Sequence, residues 1–264
     1  MAPAINPNAH QIIEEFLKAY PEKSQNVRKY IPKISAPIDT LQALNVKYDT
    51  TTVDITTTTG EPVEIPVSYT SETVSVVDFG ANTPPMDIRH FANADVIKTE
   101  TEIVLKQFLC AENTLFKNIL DSAPVNTIEV DTTSDSAEAT IEEVTNAIDI
   151  ACFEIETYTN APKLMLMSPD VKKYFYKRTP ELKKPMDIVK ENGINVVQLP
   201  QMAGSDVAYI IPLSQDICKM VQVKPLKIAI EELPYEMASI YGKESIAFIV
   251  NQPHVIQKLD FTVK

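Results

Sequence analysis

The order of apolar and polar residues predicts amphipathic helices combined with extended strands. The longest helical pattern covers about 95–121, where apolar residues recur three and four positions apart: Ile97, Val104, Phe108, Ala111, Leu115 and Ile119. A second helix is predicted over about 136–158, with its apolar face formed by Ile141, Val144, Ile148, Ala151 and Ile155. A short amphipathic helix is predicted over 8–20, ending at Pro21.

Between the helices predicted at 8–20 and 95–121, residues 46–78 show the two-residue alternation of strands. Val53 and Ile55 alternate with polar residues, as do Val63, Ile65, Val67 and Tyr69, and the turn signal Thr59-Gly60-Glu61-Pro62 lies between the two runs. The pattern predicts a long, threonine-rich hairpin. A lone two-stranded ribbon is only marginally stable in water, so we expect this hairpin to pack against its own domain or against a neighbouring protomer.

The second half of the chain is rich in short strand patterns. Strands are predicted near 163–167, 194–199 and 206–212, and a series of strand candidates fills 217–263. Together these elements predict an α+β fold with a long hairpin, one long helix, a compact middle lobe and a β-rich tail.

The charge of the 264-residue chain is −12 and is unevenly distributed. Residues 49–160 contain four basic and twenty-one acidic side chains, whereas the segments on either side are slightly basic. An acidic surface repels phosphates, so direct nucleic-acid binding by most of the surface is disfavoured. No signal peptide and no apolar run of about 20 residues is present, so we expect no membrane association and an intracellular protein, or one packaged in a particle made inside a cell.

No catalytic, cofactor or metal motif appears along the chain. His10, His90 and His254 have no partner at ligand spacing, and three separated cysteines form no CxxC pair. The carboxylate pairs at 14–15, 142–143 and 231–232 are interpreted as solvated edges, and the aromatic–basic run at 172–178 as a helix end. We therefore predict no catalytic residue, no cofactor and no metal; an enzyme with a non-motif active site is the least favoured hypothesis.

Three C-terminal segments carry a family resemblance. They are NAPKLMLMSPDVKKYFYK at 160–177, GINVVQLPQMAGSDVAYIIPLSQD at 193–216 and the closing strands at 227–261, which include Glu244, Ser245, Phe248, Val250, Pro253 and Val255. With the order of elements along the whole chain, they resemble the Hong Kong 97-like phage capsid fold. That fold is shared by tailed-phage major capsid proteins and encapsulin nanocompartment shell proteins.

The resemblance implies a division of the chain. Residues 1–45 would form an N-terminal helix and arm, and 46–78 the extended E-loop hairpin that reaches over a neighbouring protomer. The P-domain, with a long spine helix and a β-sheet, would comprise 79–132 and 217–264. The A-domain would comprise 133–216, with pore loops near 179–193 or 201–206. The E-loop residues in contact between protomers would be Val53, Ile55, Val63, Ile65, Val67 and Tyr69.

The resemblance also implies function: a structural subunit that self-assembles into an icosahedral shell. One hypothesis is an encapsulin-type nanocompartment in the cytoplasm that encloses a cargo protein; the alternative is the major capsid protein of a tailed virus or provirus, enclosing genome DNA in a virion. The chain starts almost at once with an amphipathic helix, as encapsulins do. In encapsulins that helix helps to bind a cargo peptide, which would involve Ile12, Ile13, Phe16 and Leu17 here. These residues could equally pack only on their own P-domain.

Overall fold

The computed structural model describes residues 5–23, 26–35, 41–48, 67–74, 76–134 and 136–261, with the backbone alone at 20–23, 41–48 and 67–74. The helices are α1 (Ala9–Lys23), α2 (Ala94–Ser122), α3 (Ala137–Tyr158), α4 (Lys172–Phe175) and α5 (Pro185–Glu191). The strands are β1 (Lys33–Ser35), β2 (Leu41–Tyr48), β3 (Val67–Val74), β4 (Val77–Asn82), β5 (Met86–Asp87), β6 (Asn126–Glu129), β7 (Lys163–Met167), β8 (Asn195–Gln198), β9 (Val207–Pro212), β10 (Cys218–Leu233), β11 (Met237–Val250) and β12 (Gln257–Asp260).

These strands form two mixed sheets and a separate ribbon. The first sheet has the order β1-β10-β11-β4, and β5 pairs with the far end of β11. The second has the order β6-β12-β9-β7-β8. In the ribbon, β2 pairs antiparallel with β3, from Leu41 opposite Val74 to Tyr48 opposite Val67. The α+β class expected from the sequence is confirmed.

Helix α2 is the predicted long helix, with bounds that differ by one residue at each end. Asn93 caps it, because its side-chain oxygen accepts a hydrogen bond from the Asp95 amide at 2.9 Å. Its first half packs on the first sheet, with Ile97, Val104 and Phe108 at most 1% exposed. Its second half enters another core through Phe116 and Leu120. One helix therefore contributes to two hydrophobic cores.

Helix α3 covers one face of the second sheet. Ser136 caps it by accepting a hydrogen bond from the Ala139 amide at 3.3 Å. Its apolar face joins a core that also receives Phe175 from α4 and Val189 from α5. All five residues of β7 are buried, as expected for a strand in the centre of a covered sheet.

Two details of the sequence prediction are wrong. The first helix passes Pro21 and ends at Lys23, because a proline removes a single helical hydrogen bond near the end of the helix. The strand candidates between 217 and 250 merge into two long strands, β10 and β11, whereas the last candidate corresponds to β12. The register of that pair shifts between Gln222 and Lys227, and Pro225 lies within the shift. In the sequence, this irregularity interrupts the strand pattern, so one long strand is predicted as two short ones.

The predicted division of the chain stays a prediction. Within it, the paired part of the hairpin begins at Leu41 and not at 46. Strands β6 and β12, which the division assigns to the P-domain, pair in the same sheet as β7, β8 and β9 of the predicted A-domain. Pairing between strands so far apart in sequence is invisible to local periodicity.

Gly242 on β11 marks the closest approach of α2 to the first sheet. A Cβ at this position would lie 2.6 Å from Phe108 Cε2 and 2.9 Å from Val104 Cγ1, both in fully buried side chains. We expect Gly242→Ala to lower the free energy of unfolding by about 1–3 kcal/mol, the usual cost of overpacking a core. Urea unfolding followed by circular dichroism measures this change.

The matched control for Gly242→Ala is Gly80→Ala. Gly80 lies on the neighbouring strand β4, opposite Lys243, and a Cβ there would have no atom within 4 Å. Equal stability of the two variants would contradict the packing argument.

Candidate assembly surfaces and a buried charge cluster

A buried charge cluster joins the N-terminal arm to the body of the molecule. Arg28, in a short 3-10 turn at Val27–Lys29, donates from Nε to Glu112 Oε2 of α2 at 3.0 Å. Its Nη2 pairs with Glu244 Oε1 of β11, which also accepts from Gln222 Nε2 of β10 at 3.3 Å. Arg28 is 7% exposed, and the two glutamates are at most 2% exposed. The cluster therefore fixes the arm against one helix and two strands.

Two carboxyl groups share one guanidinium in this cluster. Burial raises the pKa of Glu112 to about 8, and the nearby Glu244 adds to the rise while Arg28 opposes it. Burial, together with the positive charge of Arg28, also lowers the pKa of Lys33 on β1. At neutral pH we therefore assign Glu112 its protonated form, since its pKa lies above 7.

The pattern of apolar residues missed this cluster, although one signal was available. Glu112 lies in the apolar stripe of α2, between Phe108 and Phe116 at four-residue spacing. An acidic residue in such a stripe needs a buried partner. The partner, Arg28, is 84 residues away along the chain, so the sequence alone could not name it.

The four residues proposed for cargo binding occupy different positions on α1. Ile13 is 3% exposed and belongs to the core under α2, whereas Ile12, Phe16 and Leu17 are partly buried against the same core. Leu17 lines a cavity of about 190 Å³ together with Arg28, Leu105, Leu109, Gln222, Pro225 and Leu226. Part of this helix face thus completes the domain core, and part borders a groove beside the charge cluster.

The proposed E-loop residues are only partly within the described chain. Val67 and Tyr69 lie on β3, opposite Tyr48 and Val46 of β2. Val53, Ile55, Val63 and Ile65 lie outside the described residues. The paired segments form a sheet of two strands, so the ladder leaves one edge of each strand unpaired within that sheet.

The carboxylate pairs considered for chemistry lie on the surface, and two of the cysteines are buried. The carboxylate pairs at 14–15, 142–143 and 231–232 are exposed. Burial raises the pKa of the Cys152 thiol to about 11 and that of Cys218 to about 12, which keeps both as neutral thiols. Within the described ranges, no group of three or more His, Cys, Asp or Glu side chains could hold a metal ion. The helices of that same part of the chain include none that is long and apolar enough to cross a bilayer.

Comparison with solved structures identifies the fold. A virus-like particle from Pyrococcus furiosus is 12% identical with a TM-score of 0.65, covering 96% of this chain and 98% of that chain. The capsid of a native GTA particle is 11% identical with a TM-score of 0.67, covering 90% of both chains. The mature capsid of bacteriophage PhiM1 is 12% identical with a TM-score of 0.61, covering 90% of this chain and 87% of that chain.

The chain therefore has the Hong Kong 97-like capsid fold that its C-terminal segments predicted. No protein-family model matches the chain. No curated protein matches it in sequence.

The charge cluster predicts a pH dependence of stability. The folded-state pKa of Glu112 lies above its ordinary value of 4.5, so the folded protein binds more protons than the unfolded chain between pH 4.5 and about 8. The stabilisation of the folded state by protonated Glu112 is complete below pH 4.5 and is lost as the pH rises through about 8. We expect Glu112→Gln to remove this decline. Urea unfolding from pH 5 to 8.5 measures the difference from wild type.

Single and double variants of the two glutamates separate charge pairing from packing. In Glu244→Gln, the remaining Glu112 can ionise opposite Arg28, so the loss of stability should be modest. Glu112→Gln with Glu244→Gln leaves Arg28 buried without an anion, which should cost about 3–5 kcal/mol. The exposed Glu231→Gln is the control. A double variant as stable as either single one would contradict the assigned charge state.

Proposed function

We propose that this protein is a structural shell subunit that self-assembles into an icosahedral, encapsulin-type nanocompartment. The supporting observation is the likeness to capsid and virus-like-particle proteins, which covers 90% or more of the chain. A likeness of this length involves most of the chain and not one short segment. The neighbours in this comparison are capsid and virus-like-particle proteins, which supports a structural role for this chain.

The enclosed material distinguishes two versions of this function. The net charge of −12, concentrated in residues 49–160, opposes a close fit around DNA and favours a protein cargo. The alternative is a tailed-virus or provirus major capsid protein enclosing DNA. The likeness to the PhiM1 capsid, in addition to the virus-like particle, supports that alternative. Localisation follows the choice: cytoplasmic for a nanocompartment, and the virion for a viral capsid.

In this proposal the β2–β3 ribbon is the E-loop that lies on a neighbouring protomer. Its two-stranded sheet and its open edges support the assignment, since a neighbour can supply the contacts that such a ribbon lacks. Val53, Ile55, Val63, Ile65, Val67 and Tyr69 are the proposed contact residues. The P-domain and A-domain divisions, and pores near 179–193 or 201–206, belong to the same proposal.

Excision of the ribbon tests the shell proposal and the role of the ribbon together. The ribbon is inserted between β1 and β4, which flank β10 and β11 in one sheet, so the sheet positions that it connects, Ser35 and Val77, are about 14 Å apart at three strand spacings. Residues 36–40 and 75–76 with four added Gly/Ser residues can span this distance. We expect wild-type protein expressed alone to form hollow particles in electron micrographs. The variant lacking 41–74 should elute as a folded monomer.

Each result of the excision experiment has a distinct meaning. A wild-type protein that stays monomeric would contradict the shell function. Particles of both proteins would leave that function intact and contradict the role of the ribbon. Cooperative urea unfolding of the excised variant verifies that its core folds without the ribbon.

The proposed cargo-binding site comprises Ile12, Ile13, Phe16 and Leu17 on α1, beside the groove that Leu17 lines. Leu17 is the most informative position, because it lines the cavity, whereas Ile13 is needed for the core. We expect Leu17→Ser particles, purified from the source cells, to keep their size but lose most of the enclosed protein. The exposed Lys18→Ser on the same helix is the control.

Mass spectrometry of the protein contents and nuclease-protected nucleic acid are measured on the same particles. Protected DNA without a stoichiometric second protein would favour the viral alternative. Equal cargo in the Leu17→Ser and Lys18→Ser particles would contradict the groove assignment.

A further inference from the structure

Exposed apolar side chains concentrate on the helical layer over the second sheet. Among the described residues, six large hydrophobic side chains are more than about a third exposed: Ile103, Ile150, Phe153, Tyr158, Tyr176 and Tyr235. Four of the six lie on α3 or directly after α4. Ile150 and Phe153 are three positions apart on α3, on one face of the helix, and are 51% and 68% exposed.

Acidic residues share the exposed face of α3 with this apolar pair. Asp149 is adjacent to Ile150, and Glu142 and Glu143 lie about two turns nearer the start of the helix. The whole helix contains no lysine or arginine. We call Ile150, Phe153, Glu142, Glu143 and Asp149 the acidic patch. Exposed apolar side chains with charged neighbours are typical of a surface that docks against a protein partner.

A second patch of opposite charge lies on the same layer. Tyr176 is 50% exposed, and Lys172, Lys173 and Arg178 are exposed around it, with Lys172 Nζ 5.8 Å from the centre of its ring. We call these four residues the basic patch. The buried Phe175, and the ring of Tyr174 stacked on Phe261 at 5.4 Å, hold the segment in place.

The far end of the acidic patch is separated from the basic patch within one chain. Lys177 Nζ donates to Thr140 Oγ1 at 3.2 Å, which places the segment of the basic patch beside the first turn of α3, close to Glu142 and Glu143. Asp149 is nine residues beyond Thr140 along the helix, or about 14 Å, which exceeds the screening length of about 8 Å at physiological salt. Asp149, with Ile150 and Phe153 beside it, can therefore contact an oppositely charged surface of another molecule.

We propose that the acidic patch of one copy docks onto the basic patch of the next copy around a ring of subunits. The inference rests on the proposed shell function, which supplies identical copies as the occupants. Charge complementarity between two patches of the same chain selects a second copy over an unrelated partner. Each copy uses both patches, so the contact is head-to-tail, and the closed symmetry of the proposed shell requires it to close into a ring. Phe153 and Tyr176 are its aromatic anchors.

Charge reversal tests the contact. Glu143→Lys with Asp149→Lys, or Lys172→Glu with Lys173→Glu, should raise the protein concentration needed for assembly about tenfold, since two ion pairs become repulsive. Combining all four changes restores opposite charges and should return this concentration to near the wild-type value. Assembly is measured by sedimentation after dissociation and dilution into 50 and 300 mM NaCl. Higher salt should reduce the difference between wild type and the two reversed variants.

The control carries the same charge change elsewhere. Glu231→Lys with Glu232→Lys alters two exposed glutamates of β10 and should leave the assembly concentration unchanged. An equal effect in this control, or no rescue by the fourfold change, would overturn the proposal while leaving the shell function intact. A wild-type chain that never assembles would overturn both.

A cysteine pair gives a second readout that does not depend on charge. Asp149→Cys with Lys173→Cys, in a Cys110→Ser background that removes the exposed native thiol, should give ladders of disulfide-linked subunits when particles are oxidised. A disulfide within one chain does not change the molecular mass, so a ladder reports contact between copies. Particles that yield only single subunits on a non-reducing gel would contradict the docking geometry.

Discussion

The packing of α2 against β11 is the interaction on which the rest of the structure depends. Phe108 and Val104 occupy the space that a side chain at Gly242 would need, so helix and sheet approach more closely there than other residues would allow. The same helix then continues into the second core through Phe116, whose ring lies 4.9 Å from that of Phe248 on β11. One rigid helix therefore relates the two sheets to each other. In the proposed shell, each copy would need such a fixed relation to repeat one shape.

The buried charge cluster adds direction to this packing. Apolar contacts between α1, α2 and the first sheet are tolerant of small shifts, because they are not directional. Arg28 binds Glu112 and Glu244 only in one geometry, so the arm has one register on the body. Replacement of such clusters by apolar residues is often neutral or stabilising in other proteins, which makes positional specificity a better account of this cluster than stability. The position of the arm also sets the walls of the groove beside Leu17.

Local periodicity predicted the elements well and their partners poorly. Helices α2 and α3 were predicted to within one or two residues, because long amphipathic stripes and the cap at Asn93 are local signals. The pairing of β6 with β12 joins residues about 130 positions apart, and Arg28 meets Glu244 across 216 positions. No local pattern encodes such contacts. The family resemblance supplied the overall arrangement, since it compares the order of elements and does not depend on pairing rules.

The proposed assembly surfaces share one physical requirement. A chain of charge −12 repels its own copies, so contacts between copies must be few, complementary and repeated by symmetry. The ribbon offers backbone edges, which are strong but carry little specificity on their own. The acidic and basic patches offer weak ion pairs around aromatic anchors, which select the partner and its orientation more than they add affinity. Since each contact is weak, subunits can dissociate and rebind until a closed shell satisfies all of them together. Contacts that bind strongly one at a time would instead trap incomplete shells.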